Sequence, residues 1–230
     1  MHPSLRKELT VPVIVSVLLV GTAALMAFSF GSAVKSGDDV DHLSGDPQGL
    51  TVYLMALTTV VIACLTAIQL REQAEDLPVW WNVLFTVGIS IGVAVTLYIG
   101  LDAAGNVLPL SLPTVPVALA LVGFSCGMLF ALAVELFDRW GTLPTWLLLL
   151  AMTQPAAGEN ASTVMERFAY WFPPGAGIAA VRDTLYFDGA SVDTPLKILL
   201  AWSVITMLAF AWFRYHPVDH RRTKRRRAKR

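Results

Sequence analysis

The chain alternates between long apolar runs and short polar segments. Five runs have about 18 or more residues with almost no charge, enough for a helix to cross a hydrocarbon core of roughly 30 Å. They are 11–34, 50–70, 80–101, 115–137 and 196–213. A sixth run, 143–154, is shorter. The pattern predicts an all-α polytopic protein of the plasma membrane with one transmembrane domain, 1–213, and a polar tail, 214–230.

Composition agrees with a membrane protein. Apolar residues make up 55% of the chain, charged residues only 15%, and the mean hydropathy is +0.60. A soluble domain carries about 25% charged residues. This composition therefore argues against an ordinary soluble enzyme or binding domain.

The basic residues are concentrated in alternate segments, although the net charge is zero. Arg6, Lys7, Arg71 and Arg139 fall in one set of segments, together with the nine Lys and Arg residues from position 214 onward. The other set, 35–49, 102–114 and 155–195, holds only Lys35, Arg167 and Arg182. Cytoplasmic loops carry the excess of Lys and Arg. We therefore predict six spans with both termini in the cytoplasm, and a tail that contacts anionic lipid rather than nucleic acid.

The predicted fifth span, 143–154, is too short to cross the membrane as a straight helix. Its residues extend only about 18 Å at 1.5 Å per residue. Pro144 suits the first turn of this helix, and Pro155 marks its end. Glu159 then follows at membrane depth, where polar chain is tolerated only inside protein or against a water-filled recess.

Residues 163–187 predict two short amphipathic helices in a hairpin on the outer side. The sequence of 168–187 is FAYWFPPGAGIAAVRDTLYF. We expect the first helix to begin at Thr163, Pro173-Pro174-Gly175 to end it, and a second helix to begin near Gly177. The pattern leaves two arrangements open, because such a hairpin can enter the membrane or lie on its surface.

This organisation resembles the permeases of type-2 ABC exporters. The resemblance lies in the six spans, the short fifth span and the two small helices before the last span. Its sequence detail is closest to the phage-infection-protein (Pip-like) branch, at Phe172-Pro173-Pro174-Gly175, Arg182 and Leu185-Tyr186-Phe187. The large extracytoplasmic domain usual in that branch is missing after the first span, where 35–49 is a short polar segment.

The resemblance implies partners and two functional regions. It implies a separate cytosolic ABC ATPase and either a second copy of the chain or a sister permease. The cytoplasmic loop between spans two and three would couple to the ATPase through Arg71, Glu72, Glu75 and Asp76; the alternative is a solvated turn with Trp80 and Trp81 as interface anchors. The outer hairpin would form a gate from Glu159, Phe172, Pro173, Pro174, Gly175 and Arg182.

A third group of candidates consists of charges at the ends of spans: Asp102, Glu135, Asp138 and Arg139. Ionisable residues in membrane segments are functional candidates, but side chains at a span's end can also reach water. A charge at mid-depth is missing from every long run, which argues against an ion-coupled transporter and suits a lipid-like or amphipathic cargo.

We therefore predict the permease subunit of an ABC-type exporter, powered in trans. The chain contains no GxxxxGK[ST] phosphate-binding loop and no HExxH, so we expect no enzyme activity, no cofactor bound by this chain and ATP use only through a partner. The alternative function is a non-transporting membrane assembly or envelope-interaction protein on the same scaffold. A secondary transporter is less favoured, since no inverted repeat is evident.

Overall fold

A computed structural model describes residues 50–73, 78–105, 113–137, 139–153, 163–187 and 189–216, together with Ile14, Leu18, Val20 and Gly21. This part of the chain contains helices and turns but no strands. From residue 50 onward the helices are α1 Leu50–Gln73, α2 Val79–Gly105, α3 Thr114–Phe137, α4 Arg139–Ala151, α5 Thr163–Tyr170, α6 Pro173–Tyr186 and α7 Asp193–Tyr215.

Four of these helices are long and apolar enough to cross a membrane. They are α1, α2, α3 and α7, with spans at Thr51–Glu72, Val79–Gly100, Thr114–Phe137 and Asp193–Tyr215. The helices predicted at 50–70, 80–101, 115–137 and 196–213 are therefore confirmed. The predicted first span, 11–34, lies mostly outside the described residues, although the four described there are helical.

Helix α3 forms the centre of the bundle, packing against α1, α2, α4, α6 and α7. Small residues allow close approach on its α2 side. A Cβ added to Gly123 would lie 3.1 Å from Ser90 Oγ, and one added to Gly127 would lie 3.1 Å from Thr86 Cγ2. Such small-residue contacts are typical of helix packing in membranes, where close van der Waals contact replaces the hydrophobic drive.

The outer faces of the bundle are apolar. Large side chains on α2 and α7 remain exposed although they are hydrophobic, among them Leu84, Ile91, Leu200 and Leu208. Exposed apolar faces of this extent are unusual in soluble monomers and are expected where lipid is the solvent. The packing thus supports a membrane location by a route independent of run length.

Most of the buried hydroxyl groups that the structure describes are satisfied by the backbone of their own helix. These hydroxyls donate to a backbone carbonyl about one turn earlier, as Thr59 does to Met55 at 2.8 Å and Ser203 does to Leu199 at 2.8 Å. Thr66, Thr86, Ser125, Thr184 and Thr206 do the same. These bonds let polar residues lie inside an apolar bundle without partners on other helices.

The prediction for the short fifth helix needs a correction at its start. Helix α4 begins at Arg139 rather than at 143 and ends at Ala151, so Pro144 lies inside the helix and not in its first turn. The reason is a close joint with α3: a Cβ on Gly141 would lie 2.6 Å from the Ala133 carbonyl oxygen. At 13 residues, α4 extends about 20 Å, still short of a bilayer core.

The hairpin boundary was also predicted wrongly. The proline pair begins the second helix instead of ending the first, since α5 ends at Tyr170 and α6 starts at Pro173, not near Gly177. Pro173 and Pro174 occupy the first two positions of α6. Proline is well suited there, because the first turn of a helix needs no N–H donor and its φ is already helical.

Candidate functional site

The turn between α5 and α6 lies near mid-height of the bundle, well away from the ends of the long helices. The indole Nε1 of Trp202 donates to the carbonyl oxygen of Trp171 in this turn at 2.7 Å. Ala176, just inside α6, packs in one buried cluster with Val60 and Val122. Val60, Val122 and Trp202 all lie well away from the ends of α1, α3 and α7. The turn therefore lies part-way along the bundle and not at one end, with Trp171 exposed on the outside and the chain buried from Pro173 onward.

Two glycines make this placement possible. A side chain on Gly175 would collide with the carbonyl oxygen of Ala169 in α5, and one on Gly177 would collide with the side chain of Val122 in α3. Gly175 thus allows the tight turn, and Gly177 allows α6 to lie against α3. Both glycines are buried, as are Ile178, Ala180 and Val181 further along α6.

Aromatic rings pack around the turn. Phe172 stacks on Trp202 with ring centroids 5.5 Å apart, and Phe168 lies 5.0 Å from Phe172. Trp202 was not singled out from the sequence. It is one aromatic residue in a long apolar run, and nothing local shows that its ring meets the turn.

The predicted gate residues do not form a single site. Phe172 is half-buried, and Pro173, Pro174 and Gly175 are buried at the turn. Arg182 is exposed, roughly two and a half helical turns further along α6. Glu159 lies outside the described residues. The structure therefore brings the proline pair and Gly175 together but leaves Arg182 apart from them.

Helix α5 and the turn residue that follows it keep an apolar face on the outside of the bundle. Val164 is 75% exposed, Phe168 52% and Trp171 62%. The three residues are spaced at i, i+4 and i+7, so they share one face, and that face suits contact with lipid.

The last turns of α1, α3 and α7 meet at one end of the bundle, which we call the charged end. Arg71 Nη1 donates to the carbonyl oxygen of Val134 at 3.3 Å. Arg214 Nη1 lies 3.5 Å from Glu135 Oε2, and the two side chains are 20% and 9% exposed. Of the predicted span-end charges, Glu135 is therefore part of an interhelical ion pair.

The other predicted charges are only partly described. Asp102 lies in the last part of α2 and Arg139 is the first residue of α4, but only their backbones are described. Asp138 lies outside the described residues.

In the predicted coupling loop, Arg71 bonds to α3 and Glu72 is exposed, while Glu75 and Asp76 lie outside the described residues. Trp80 and Trp81 stack with centroids 4.3 Å apart, and Trp80 is 55% exposed. Coupling and interface anchoring both remain predictions for this loop.

A small cavity opens between the helices at the charged end. It has a volume of about 30 Å³, which is room for a few small polar atoms. Its polar lining consists of Arg71, Asn82, Thr86, Glu135 and Arg214. Sequence reasoning missed Asn82, although a lone amide in the run VWWNVLF is a usable signal that a polar contact is needed there.

Among the described residues, no three His, Cys, Asp or Glu side chains lie together in a way that could hold a metal ion. Cys64 and Cys126 are unbonded and buried in the core cluster that contains Ala176, where they act as small packing residues. Comparisons of the chain with family models, curated proteins and solved structures found no match.

Proposed function

We propose that this chain is the permease subunit of an ABC-type exporter in the plasma membrane. It moves an amphipathic or lipid-like substrate and is powered by a separate cytosolic ATPase. In this proposal the chain crosses the membrane six times, with 11–34 as the first span and α4 as the short fifth. Both termini and the charged end face the cytoplasm, and a second copy or a sister permease completes the transport path.

The observation that carries the proposal is the depth of the α5–α6 turn. A helix pair that enters the bundle from one side and turns back before the last span is a re-entrant hairpin. Its polar backbone needs partners from neighbouring helices: Trp202 donates to the Trp171 carbonyl in the turn, and Val122 packs against the first part of α6. Such a hairpin places a break in regular structure inside the membrane, where a substrate path can open.

The apolar character of the bundle supports the cargo class. Buried polar residues in the long helices are mostly hydroxyls that bond within their own helix, so they offer little to a hydrated ion. Arg71, Glu135 and Arg214 all lie at the charged end. An apolar path suits a substrate with hydrocarbon parts better than an ion, which needs polar groups along the way.

The decisive experiment is purification of the full chain in mild detergent, with mass spectrometry of what remains bound. We expect a nucleotide-binding ATPase in stoichiometric amount and ATP hydrolysis by the complex. Reversing Glu72, Glu75 and Asp76 to Lys should release the ATPase. Asp193→Lys, an exposed charge at the start of α7, is the matched control and should retain it.

A clean oligomer that carries no ATPase would contradict the proposal and would favour the non-transporting envelope-interaction protein. Retention of the ATPase by the triple charge reversal would refute the coupling role of the loop while leaving transport in place. Transport itself is then measured with the complex in vesicles, using a fluorescent lipid analogue as the probe.

A further inference from the structure

The cavity at the charged end has the features of a binding site. Four helices contribute to it: Arg71 from α1, Asn82 and Thr86 from α2, Glu135 from α3 and Arg214 from α7. Apolar side chains, including Met128 and Phe210, form the rest of its wall. A few polar groups that converge in an apolar recess are typical of small-ligand sites.

Asn82 provides the observation that points to a ligand. Asn82 is only 7% exposed. Its Oδ1 is the buried side-chain polar atom that lacks a hydrogen-bond partner in the described part of the chain. Most buried hydroxyls of the bundle donate to a backbone carbonyl, whereas this buried amide oxygen has no donor. An acceptor left unpaired in a low-dielectric interior destabilises the fold unless something donates to it.

The charged side chains around the cavity indicate which kind of ligand would carry that hydrogen-bond donor. Two arginines and one glutamate line the cavity, which gives these side chains a formal charge of about +1 at neutral pH. Arg71 donates to the carbonyl of Val134, Arg214 pairs with Glu135, and both arginines make further contacts. A guanidinium has five N–H donors, so it can bind an oxyanion in addition to such partners. A matching ligand therefore combines a phosphate with a nearby O–H or N–H group.

The size and position of the cavity favour a lipid. A space of about 30 Å³ accepts the end of a head group but not a whole phosphodiester, so the phosphate would lie at the mouth beside the arginines. The last turns of α3 and α7 also carry exposed apolar side chains, Phe137 and Trp212, along which acyl chains can lie. Hydrocarbon and phosphate are thus accommodated at the same end of the bundle.

We propose that this cavity binds a phospholipid whose head group donates hydrogen bonds, such as phosphatidylethanolamine. The head-group ammonium donates to Asn82 Oδ1, and the phosphate is held by Arg71 and Arg214. Phosphatidylglycerol, with hydroxyl donors, satisfies the same chemistry. Phosphatidylcholine does not, because its ammonium is fully methylated. This inference does not depend on the chain being a transporter.

The test compares these lipids on the purified full chain by native mass spectrometry, after delipidation and titration with each lipid. We expect phosphatidylethanolamine and phosphatidylglycerol to bind the wild type about tenfold more tightly than phosphatidylcholine, the effect of one satisfied buried hydrogen bond. Asn82→Leu should lower the affinity for phosphatidylethanolamine and phosphatidylglycerol to that for phosphatidylcholine. The affinity for phosphatidylcholine should not change. Gly88→Ala, at an open position on the same helix, is the control.

Equal binding of the three lipids by the wild type would overturn the proposal, and this comparison needs no variant. A preference that survives in Asn82→Leu would overturn it as well. Arg71→Gln and Arg214→Gln should weaken all three lipids alike, since they all carry the phosphate. If glycerophosphoethanolamine, which has no acyl chains, binds as tightly as the lipid, then the ligand is the soluble phosphodiester and the lipid assignment is wrong.

Discussion

The contact between Gly177 and Val122 determines how closely α6 approaches α3. Helix α6 turns a row of small residues toward its neighbours, and Gly177 faces the Val122 side chain with no room for another carbon. Val122 is fully buried and cannot move aside. The absence of a side chain at Gly177 therefore allows the hairpin to pack as closely against α3 as it does.

Gly177→Ala should destabilise the protein by about 1–3 kcal/mol, the usual effect of overpacking. The measurement is thermal unfolding of the detergent-purified chain. Gly88→Ala is the matched control, since a Cβ there meets nothing within 4 Å. Adding Val122→Ala to Gly177→Ala should recover part of the loss, because the shortened side chain makes room for the new methyl. If the stability loss of the double variant equals the sum of the losses of Gly177→Ala and Val122→Ala, then the two residues do not clash.

Trp202 fastens the α5–α6 turn through a single donor. Trp202→Phe keeps a ring to stack on Phe172 but removes the N–H that bonds to the Trp171 carbonyl. We expect a loss of about 1 kcal/mol and faster amide exchange in 163–172, read by mass spectrometry. Trp212→Phe, at an exposed position on the same helix, should leave that exchange unchanged. Unaltered exchange in Trp202→Phe would mean that packing alone holds the turn.

Among the helices, the long ones and the short ones are stabilised differently. Helix α4 has 13 residues and α5 has 8, lengths at which an isolated helix is marginal in water. The structure supports α4 and α6 through α3, and α5 through α6. The hairpin can consequently move only as far as its contacts with α3 and α7 permit, which links any opening of the turn to the two central spans.

The Glu135–Arg214 pair joins the last turns of α3 and α7. Glu135→Gln should lower the free energy of unfolding by about 1–3 kcal/mol, which lies between the values for exposed and fully buried ion pairs. The reason is that the Glu135 carboxylate is largely buried, whereas Arg214 is only partly buried. Exchanging the charges, with Glu135→Arg and Arg214→Glu together, should recover part of that loss. Thermal unfolding of the wild type, Glu135→Arg, Arg214→Glu and the variant with both changes forms a double-mutant cycle, which gives the coupling energy. A coupling of zero would show that the pair contributes nothing.

The arrangement of the whole bundle predicts its orientation. Arg71, Glu135 and Arg214 share one end, and the basic tail follows directly from α7. Basic segments face the cytoplasm, so the α6–α7 turn near Ala190 should face outward. A membrane-impermeant maleimide should label Ala190→Cys in intact cells. It should label Glu72→Cys only after the cells are opened. Cys64 and Cys126, with 0% exposure, give no background. The reverse labelling would invert the topology.

Run length and composition were enough to predict the four long helices and the membrane as their solvent. These properties are local: a stretch of about 20 apolar residues must satisfy its own backbone as a helix wherever it lies in the bundle. The existence of the short helices also followed from local pattern. Their boundaries did not, because the start of α4 depends on the joint of Gly141 with Ala133, and Pro173 can either end one helix or begin the next.

Tertiary packing alone determined the depth of the hairpin, the roles of Trp202 and Gly177, and the cavity beside Asn82. Each depends on two segments far apart in sequence, such as Trp171 with Trp202 or Arg71 with Val134. An apolar run shows that a face is buried but not which neighbour buries it, since aliphatic and aromatic side chains pack without directional preference. Only the folded bundle brings the partners together and leaves one amide oxygen without a donor.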